Sequence, residues 1–415
     1  MLKEYYTINN NEIRVQIEDS KIDAIKNKNI TYKSVRVFDE EKKILSLASA
    51  VGNVPDSELE KKATNLLSLN IPFEYELERD TKGNFKKDKL SIKDSQSLEK
   101  FTEKVLNDLK DVSQNFVING AVYTTRYKKS LKNSLGLDLS SEQTYLVCTL
   151  MLKQKGSGNI FDTGAAIYGF DITENQYQNF LNDTKFVTNA CLSKEVTLES
   201  GKYKILCEDN YLLRKFYSDV MGDEYEEKSS LLTGKLNEKI FHESISINEC
   251  HNYEKFVTFL PFDDEGIVRK EELVVVDKGV LKSIFYDKKK AKKYGKVSTG
   301  NGFRSYNSNP GISPRGFRFI GVEKSAKELI ADDLVIIPSI SSGGDFLPNG
   351  NFSLPIQMAF VFKNGEFIGK APQITLTGNY LDSFNKDFIA IGKNDILPEA
   401  LNETLILSNM TVNVN

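Results

Sequence analysis

The segment FDDEGIVRKEELVVVDKGVLKSIFYDKKKAKKYGKVSTGNGFR, residues 262–304, combines two strand-like runs with charged and glycine-rich ends. The runs 273–276 and 280–286 flank a glycine turn, and two strands joined by such a turn form a hairpin. The acids 263–265 and the polar turn 298–302 lie at the margins of this hairpin. Charged loops on a rigid hairpin commonly line a cleft. The alternative is a surface hairpin with solvated ends.

Length and composition favour an ordinary soluble protein. The 415 residues can bury a substantial core in two or three domains, and 40% hydrophobic with 27% charged residues is typical of globular chains. The net charge of −3 and the pI near 5.8 argue against a nucleic-acid binder. No apolar run approaches the roughly 18 residues needed to span a bilayer, so no membrane role is expected.

The cysteines and the N-terminal segment predict a cytoplasmic location. Cys148, Cys191, Cys207 and Cys250 lie far apart and form no CxxC pair, which fits reduced thiols. The first residues contain no apolar signal core, so export is not expected.

Hydrophobic periodicity divides the chain into three expected units. Residues 1–75 predict a small α+β N-terminal region, and residues 76–197 predict an α+β middle region. Strands dominate residues 198–415, which predict a large β-rich C-terminal domain with mostly antiparallel sheet. The expected fold class is therefore α+β.

Two helix starts have a recognisable capping pattern. Ser57 and Glu60 have the spacing of a capping box, and so do Thr173 and Gln176. Both pairs precede an apolar stripe of helical period, so each predicts the first turn of a helix.

Three further segments make specific predictions. Residues 79–95 are polar and charged, and predict a linker or long loop. Residues 239–247 alternate in polarity and predict a strand. The dipeptide at 364–365, Asn-Gly, is the strongest short hairpin signal in the chain.

The motifs of known catalytic centres are incomplete. His242-Glu243 resembles the start of a zinc metalloprotease motif, but residues 244–247 supply no second ligand. His251 beside Cys250 has no spacing that favours a shared metal, so both histidines are interpreted as structural. The sequence also lacks a GxSxG elbow for a nucleophilic serine.

Other polar segments have simple interpretations. The run 343–345 lacks the P-loop lysine and is interpreted as a turn. The basic run 288–293 has no interleaved aromatic residue and is interpreted as a solvated helix face. The acids 263–265 could bind a divalent cation or serve as solvated turn residues. Residue chemistry alone assembles no catalytic centre.

The order of several weak motifs is more specific than any one of them. They run from Asn133-Ser-Leu-Gly136 through Gly201-Lys-Tyr203 to 262–266, 278–281, Ala291 with Gly295, 298–302, 344–346, 351–353, 364–366, 377–379 and 391–392. With this colinear set the chain resembles the TldD/PmbA family over nearly its whole length. Members of this family were once called modulators of DNA gyrase and are associated with metallopeptidase activity.

The resemblance points to one branch of the family. TldD-like members have a helical HExxxH segment after the strand that corresponds to 203–207, and a C-terminal cysteine completes their zinc site. Here Arg214 and Lys215 stand at the positions of the first histidine and the glutamate, and Asp219 at that of the second histidine. Two cations cannot ligate Zn²⁺, and the last cysteine is Cys250. The chain therefore resembles the PmbA branch, also called TldE, which lacks the metal centre.

The resemblance implies a subunit of a cytoplasmic complex that degrades unfolded or precursor peptides inside a cavity. Zinc is then expected only in a TldD-like partner, and this chain is expected to form a homo- or heterodimer without catalytic or metal-binding residues of its own. The alternatives are a non-proteolytic scaffold or regulatory protein, and a stand-alone hydrolase with a metal at Asp263, Asp264 and Glu265 or at the two histidines.

The resemblance also favours cleft lining for the opening segment. The residues expected to shape a chamber wall or a subunit interface, rather than to perform catalysis, are Asp263, Asp264, Glu265, Gly266, Thr299, Gly300, Asn301, Arg304, Gly344 and Phe346.

Overall fold

The computed structural model describes residues 1–160, 162–254, 257–331, 333–397 and 403–415, and for 209–211 the backbone alone. Strands account for 45% of the residues and helices for 19%, and the sheets are largely antiparallel. The predicted α+β class with a β-rich C-terminal region is confirmed. Within these ranges no helix is both long and apolar enough to cross a membrane.

The first sheet is built from the strands of the N-terminal half. Its members are β1 (Leu2–Glu18), β2 (Lys21–Asp39), β3 (Ile44–Val51), β4 (Ile71–Pro72), β5 (Lys82–Lys87), β6 (Phe116–Asn133), β7 (Asp138–Gln154) and β8 (Thr163–Gly169). They lie in the order β4-β3-β2-β1-β6-β7-β5, and β8 also pairs with β7. The sheet thus contains strands from both sides of residue 75. The division into domains there stays a prediction.

Helices α1 (Asp56–Leu66), α2 (Ser95–Asp108) and α3 (Glu174–Leu192) pack on this sheet, and short 3-10 turns follow at Leu67–Leu69 and Val112–Gln114. The capping box predicted at Thr173 and Gln176 is present at the start of α3. The box predicted for α1 is wrong, because Pro55 is the N-cap and makes no side-chain cap. The carboxylate of Glu60 binds the Lys3 ammonium instead, at 2.5 Å.

The segment 79–95 contains an element that the sequence did not indicate. Residues 82–87 form β5, which pairs in parallel with 138–143 of β7. An edge strand tolerates lysines because part of it remains in solvent. Because of these lysines the segment has no apolar pattern from which a strand could be predicted. The prediction of a loop is wrong for these residues.

The C-terminal half consists mainly of strands with short helices between them. The strands are β9 (Gly201–Glu208), β10 (Ile247–Cys250), β11 (Asn252–Tyr253), β12 (Thr258–Phe259), β13 (Glu272–Asp277), β14 (Val280–Leu281), β15 (Gly302–Phe303), β16 (Gly311–Ile312), β17 (Phe317–Phe319), β18 (Leu334–Ser341), β19 (Asp345–Phe346), β20 (Asn351–Lys363), β21 (Glu366–Lys370), β22 (Ile374–Asn379), β23 (Phe388–Lys393) and β24 (Thr404–Val414). The helices are α4 (Asp209–Asp219), α5 (Gly222–Glu226), α6 (Lys288–Tyr294), α7 (Ala326–Leu329) and α8 (Tyr380–Ser383).

Five of these strands close into a small barrel. They lie in the order β18-β9-β24-β22-β20, and β20 pairs again with β18. The β9–β18 pair is parallel and the other pairs are antiparallel. The predicted hairpin turn at Asn364 and Gly365 links β20 to β21, with φ angles of 52° and 77°. Asn and Gly favour such positive φ angles.

A second antiparallel sheet, ordered β14-β13-β10-β17, contains the hairpin predicted from the sequence. Gly279 in its turn has a φ of +79°, and a Cβ there would lie 2.2 Å from the carbonyl oxygen of Phe241. This close approach requires glycine. The second strand, predicted over 280–286, covers only Val280–Leu281.

Two large apolar clusters form the interior. The first fills the space between the barrel, α4 and the second sheet, and contains Phe216 and Phe317. The other joins the first sheet, through Ile118, to the barrel, through Val335 and Phe360. The N-terminal sheet and the barrel therefore share a core.

Candidate functional site

The loop that follows Phe262 folds around the carboxylate of Asp263. Oδ1 of Asp263 accepts hydrogen bonds from the backbone N–H groups of Glu265 (3.0 Å) and Ile267 (2.9 Å), and Oδ2 accepts one from Gly302 N–H (3.1 Å). The residue is fully buried. Because backbone donors satisfy the carboxylate, the loop can bury it without a metal or solvent.

Asp264 connects the same loop to the first sheet. Its Oδ1 accepts from Lys129 Nζ on β6 (2.9 Å) and from the Tyr6 hydroxyl on β1 (3.2 Å), and its Oδ2 accepts from Arg304 N–H (2.9 Å). The side chains of Asp264 and Lys129 are 3% and 8% exposed, so the pair is desolvated. The acids therefore lie at an internal junction between the N-terminal sheet and the C-terminal half.

Glu265 connects the loop to the start of α6. Its Oε2 accepts the Lys288 N–H at 2.7 Å. A Cβ at Gly302 would lie 2.4 Å from the same oxygen, so glycine at 302 leaves the space that the carboxyl group fills.

Burial perturbs two of these carboxyl groups. Burial, helped by the neighbouring charge of Asp264, raises the pKa of Asp263 to about 6. Burial, followed by the charge of Asp263, raises the pKa of Glu265 well above its ordinary value. Perturbed carboxyl groups occur both at active sites and in buried ion networks.

A buried arginine–glutamate group lies beside Asp264. Arg36 donates to both oxygens of Glu4 at 2.9 Å in a bidentate pair, and Arg304 Nη2 donates to Glu4 Oε1 at 2.9 Å. The Arg304 guanidinium also lies 4.3 Å from the centre of the Tyr6 ring. Arg304 therefore connects the predicted segment to β1 directly, and to Arg36 on β2 only through Glu4.

Glu249 is the second node of the junction. It accepts from Arg269 Nη2 (2.6 Å) and Asn301 Nδ2 (2.8 Å), and its Oε2 lies 2.9 Å from His251 Nε2. The Thr299 hydroxyl donates to Asn301 Oδ1 at 2.8 Å, which fixes the orientation of the amide. Thr299 and Asn301 thus position the polar turn on a buried carboxylate.

Two of the three glycines in the predicted set, Gly266 and Gly300, determine the shape of the loop. Gly266 has a φ of +90°, and a Cβ there would lie 2.8 Å from Leu137 Cδ2, so the loop packs closely on the β6–β7 turn. Gly300 has a φ of +75°, a left-handed backbone that favours glycine.

Five charged residues that complete this junction were not predicted from the sequence. Glu4, Arg36, Lys129 and Glu249 lie on β1, β2, β6 and β10, and Arg269 lies in the segment before β13. In the sequence each of the four strand residues is one polar position of an alternating pattern, and only the folding of the chain brings the five together.

The three predicted positions on α4 have different environments. Arg214 is exposed, whereas Asp219 is fully buried. Asp219 Oδ1 pairs with Lys215 Nζ at 2.5 Å and accepts from Leu231 N–H at 3.3 Å, and its Oδ2 accepts from the Tyr380 hydroxyl at 2.5 Å. Arg214 thus faces solvent, while the partly exposed Lys215 and the buried Asp219 form a polar group with Tyr380 of α8.

This group does not fit a zinc ion. Zinc requires thiolate, imidazole or carboxylate ligands, and both oxygens of Asp219 already bind cationic or hydroxyl donors. Cys207 on the preceding strand is enclosed in the apolar core, and burial raises the pKa of its thiol, so it stays protonated. In the described part of the chain no three His, Cys, Asp or Glu residues cluster as a metal site would require.

Phe346 and Gly344 lie near α8 and the barrel. The Phe346 ring centre is 5.5 Å from that of Phe352 and 6.5 Å, edge-on, from that of Tyr380. Gly344 has a φ of +138° and approaches Leu354. The structure thus places Gly344 and Phe346 near α8 and the barrel, with Phe346 beside the Asp219–Tyr380 group. The other predicted residues, 263–266, 299–301 and 304, meet at the junction.

The two histidines have separate environments. His251 is buried at Glu249, and its Nδ1 lies 2.6 Å from Lys270 O. His242 is exposed and its ring centre lies 4.9 Å from that of Phe388. The strand predicted over 239–247 is wrong except at Ile247, where β10 begins, because Ile245 N–H bonds to His242 O and forms a turn before β10.

A model of a known family matches just over half of the chain. A family model described as the PmbA/TldA metallopeptidase C-terminal domain matches residues 200–413. That range contains the barrel, α4 and the opening segment.

Individual relatives have low sequence identity to this chain. An uncharacterized protein of Methanocaldococcus jannaschii is 26% identical over 319 residues, which cover 77% of this chain and 74% of that protein. A protein of Archaeoglobus fulgidus named metalloprotease is 33% identical over 191 residues, or 44% of each chain.

A solved structure has the same fold over the full length. TldE from Thermococcus kodakarensis superposes with a TM-score of 0.83 at 20% identity, covering 99% of this chain and 96% of that one. At this identity the likeness concerns the fold alone.

Proposed function

The chain belongs to the PmbA/TldD family of metallopeptidase-like proteins, and on that premise we propose that it is a PmbA/TldE-type subunit without a zinc centre. In this proposal it acts with a zinc-bearing, TldD-like subunit in the proteolysis of unfolded or precursor peptides. The observation that supports it is the polar group on α4, where Lys215 pairs with the buried carboxylate of Asp219.

Charge is the physical reason for this assignment. The fully buried carboxylate of Asp219 is stabilised by a nearby positive charge, which the Lys215 ammonium supplies at 2.5 Å. A divalent cation at the same carboxylate would face electrostatic repulsion from that ammonium. The chain therefore stabilises α4 with an internal cation, and the proposal leaves metal chemistry to the partner.

The proposed contribution of this chain is to hold peptide and complete the chamber. Extended peptides are commonly held by strand addition, which needs an edge strand. β19 pairs with β20 on one side, and its Phe346 packs against Tyr380. We place the peptide along this edge, next to the α4 group.

Metal content and partner identity test the proposal together. The purified chain should contain no stoichiometric zinc by elemental analysis, and it should co-purify from its own cell with a chain that carries HExxxH. Stoichiometric zinc in the chain alone would overturn the proposal. Co-purification with a different protein only would favour the scaffold or regulatory alternative.

One observation favours a second function, a stand-alone hydrolase. The raised pKa values of Asp263 and Glu265 are typical of acid–base groups. Both groups are buried and bonded to backbone N–H groups, which supports a structural role instead. Peptide hydrolysis by the purified chain that a folded Asp263→Asn variant loses would establish this second function.

A further inference from the structure

The outer edge of β2 is open over the first half of the strand. β1 pairs with β2 from Lys21 to Phe38, whereas β3 pairs only with 32–39. Residues 21–30 therefore have one paired edge, and their other edge has no partner strand among the described residues. The side chains of 25–29 are all exposed. A free edge of this length is a template on which another extended chain can add a strand.

The backbone groups of this edge point alternately toward β1 and outward. Gly52 N–H donates to Thr31 O at 2.8 Å from the side of β3, so Thr31 directs its backbone groups outward. Because the β1–β2 ladder is unshifted here, the alternation of an antiparallel ladder also directs those of Ile25, Asn27 and Asn29 outward. In the described part of the chain these outward groups have no hydrogen-bond partner. Each of the three residues thus offers a donor and an acceptor to an added strand.

The lysines of the edge favour one charge in that strand. Lys26 and Lys28 are two residues apart, so they project from the same face of the sheet. Both are exposed, and neither has an ion pair among the described residues. The carboxylate opposite Lys28, that of Glu12, is already held by Arg14 at 2.8 Å. Side chains of an added strand would lie about 5 Å from these lysines, where carboxylates are favoured.

The other face of the edge has an apolar position. Ile25 is 39% exposed and lies opposite Val15 of β1, which belongs to the core shared with the barrel. Aliphatic side chains of an added strand would extend this apolar surface. Asp23 is the one acid within 21–30, and it lies at the end of the edge, where the ladder shifts. The edge therefore suits a strand in which acidic and aliphatic residues alternate.

A second copy of the chain does not match this edge. Antiparallel pairing of two such edges aligns outward residues with outward residues. In the central registers Lys26 and Lys28 then lie opposite the same lysines of the other copy. Like charges directly opposite each other are destabilising, and edge lysines are a common device against self-association. The charge pattern thus favours an acidic partner over a second copy.

We propose that the free edge of β2, residues 21–30, binds an extended acidic peptide as an added strand. Carboxylates at alternate peptide positions face Lys26 and Lys28, and the aliphatic side chains between them lie on the face of Ile25. The peptide backbone bonds to the outward groups described above. This edge belongs to the first sheet and is separate from β19, so the inference does not depend on the proposed proteolytic role.

A peptide series on the unaltered chain tests the charge and the strand form. Fluorescence anisotropy compares a labelled peptide of about nine residues that alternates Glu and Val with two relatives. One relative has Lys in place of Glu, and the other has Pro in place of the two central Val residues, which removes N–H groups that the edge would accept. The Glu–Val peptide should bind, less tightly as salt is added, and each replacement should weaken binding at least about tenfold. No binding at up to about 100 µM chain, or equal binding of either relative, would overturn the inference.

Two variants locate the site. Asn27→Pro removes one outward N–H group but no bond to β1, and Lys26→Glu combined with Lys28→Glu reverses the charge. Each should weaken binding of the Glu–Val peptide at least about tenfold. The control is Lys42→Glu, which changes an exposed lysine in the turn at the far end of β2 and should bind normally. Unchanged affinity in the charge-reversal variant would contradict the assignment, and so would unchanged affinity in a folded Asn27→Pro variant. The charge-reversal variant decides the matter if Asn27→Pro does not fold.

Discussion

Gly302 and Glu265 touch at the centre of the buried junction, and this contact makes a substitution at 302 costly. A methyl group there would lie 2.4 Å from Glu265 Oε2, whose position is fixed by Lys288 N–H. We expect Gly302→Ala to lower the free energy of unfolding by about 1–3 kcal/mol, a typical cost of overpacking. Urea denaturation measures this change.

The control for this variant is on the paired strand. Gly311 pairs with Phe303, and a Cβ at 311 would meet no atom within 4 Å. Gly311→Ala should change stability by no more than about 0.5 kcal/mol. If both variants lost the same stability, the contact with Glu265 would not be the reason that residue 302 has to be glycine.

The raised pKa values of Asp263 and Glu265 predict a pH dependence of stability. Carboxyl groups of an unfolded chain titrate near pH ~4, whereas the pKa of Asp263 is about 6 and that of Glu265 is raised further above its ordinary value. Between those values the folded protein binds more protons, so the free energy of unfolding falls as pH rises. The stability that protonated Asp263 contributes is lost as pH rises through about 6. The stability that protonated Glu265 contributes is lost as pH rises through its own raised pKa.

Glu265→Gln isolates one part of this effect. The amide oxygen can still accept the Lys288 N–H but does not titrate. The stability of the variant relative to the unaltered chain should therefore increase from about pH 5 to about pH 8, measured by urea denaturation at each pH. Parallel stability curves would show that Glu265 is not protonated in the folded state.

The buried Glu4–Arg36 pair shows why single residues of the junction escaped prediction. Glu18 pairs with Lys21 at the turn, but the ladder shifts by one residue between Gln16 and Ile17. An unbroken ladder would place Val35, not Arg36, opposite Glu4. A bulge of this kind depends on the packing of the whole sheet, so the charge pairing cannot be obtained from alternation alone.

At the scale of elements, the Asp219–Tyr380 hydrogen bond joins α4 to α8. The Tyr380 hydroxyl donates to a fully buried carboxylate at 2.5 Å. Tyr380→Phe removes this donor to a charged group, and we expect a loss of about 1.5–3 kcal/mol in the free energy of unfolding. Thermal or urea denaturation provides the measurement.

Tyr203→Phe is the matched control, because its hydroxyl donates to Glu199 O at 2.9 Å in an exposed position. Water can replace that bond, so the loss should stay below about 1 kcal/mol. If both variants lost the same stability, the buried hydrogen bond from Tyr380 to Asp219 would stabilise the protein no more than the exposed bond of Tyr203 does.

The elements that the sequence predicted well are those with a strong local pattern. α3 has its capping box, and the Asn364-Gly365 turn has its hairpin. The segments that failed have weak or misleading local signals. β5 is polar because it is an edge strand, and the turn at His242 alternates in polarity without pairing. Tertiary context decides such segments.

The basic helix α6 lies between these cases. The prediction of a helix with a solvated face fits its exposed lysines, but Lys290 pairs with an acid of α5 and Lys293 with the acid that follows α5. Lys290 binds Asp223 at 2.8 Å, and Lys293 lies 2.8 Å from Glu227, which directly follows α5. The two acids can be seen in the sequence, but the sequence pattern does not show that the chain folds so that they lie beside α6.

At the scale of the whole molecule, the Asp264–Lys129 pair connects the C-terminal half to the first sheet. Removing one partner of a buried ion pair leaves an uncompensated charge. We expect Lys129→Met to cost about 3–5 kcal/mol, and Lys129→Met with Asp264→Asn to cost less than the sum of the single variants by at least about 1 kcal/mol. Chemical denaturation of the four proteins gives this coupling.

A surface pair on the neighbouring strands serves as the control cycle. Lys132 and Asp138 lie 3.1 Å apart with side chains 54% and 51% exposed. Their coupling should not exceed about 0.5 kcal/mol. If the effects of the two substitutions at the buried pair simply added, as at the surface pair, the Asp264–Lys129 ion pair would not couple the stability of the C-terminal half to that of the first sheet.

The overall class followed from composition and periodicity, but the closed barrel did not. Its closure depends on β9 pairing with β18 and β24, more than a hundred residues further along the chain. No local pattern specifies such pairings. The colinear motifs nonetheless identified the family, because several of their glycines stand where other atoms approach closely. A Cβ at Gly279, in a turn, would meet the Phe241 carbonyl, and one at Gly302, in β15, would meet the Glu265 carboxyl group.

Peptide hydrolysis by the purified chain, with and without a chelator, tests the central claim most directly. The account predicts that the chain alone cleaves no unfolded peptide, and that adding a TldD-like, HExxxH-bearing partner produces cleavage that the chelator abolishes. Chelator-sensitive hydrolysis by this chain alone would contradict it.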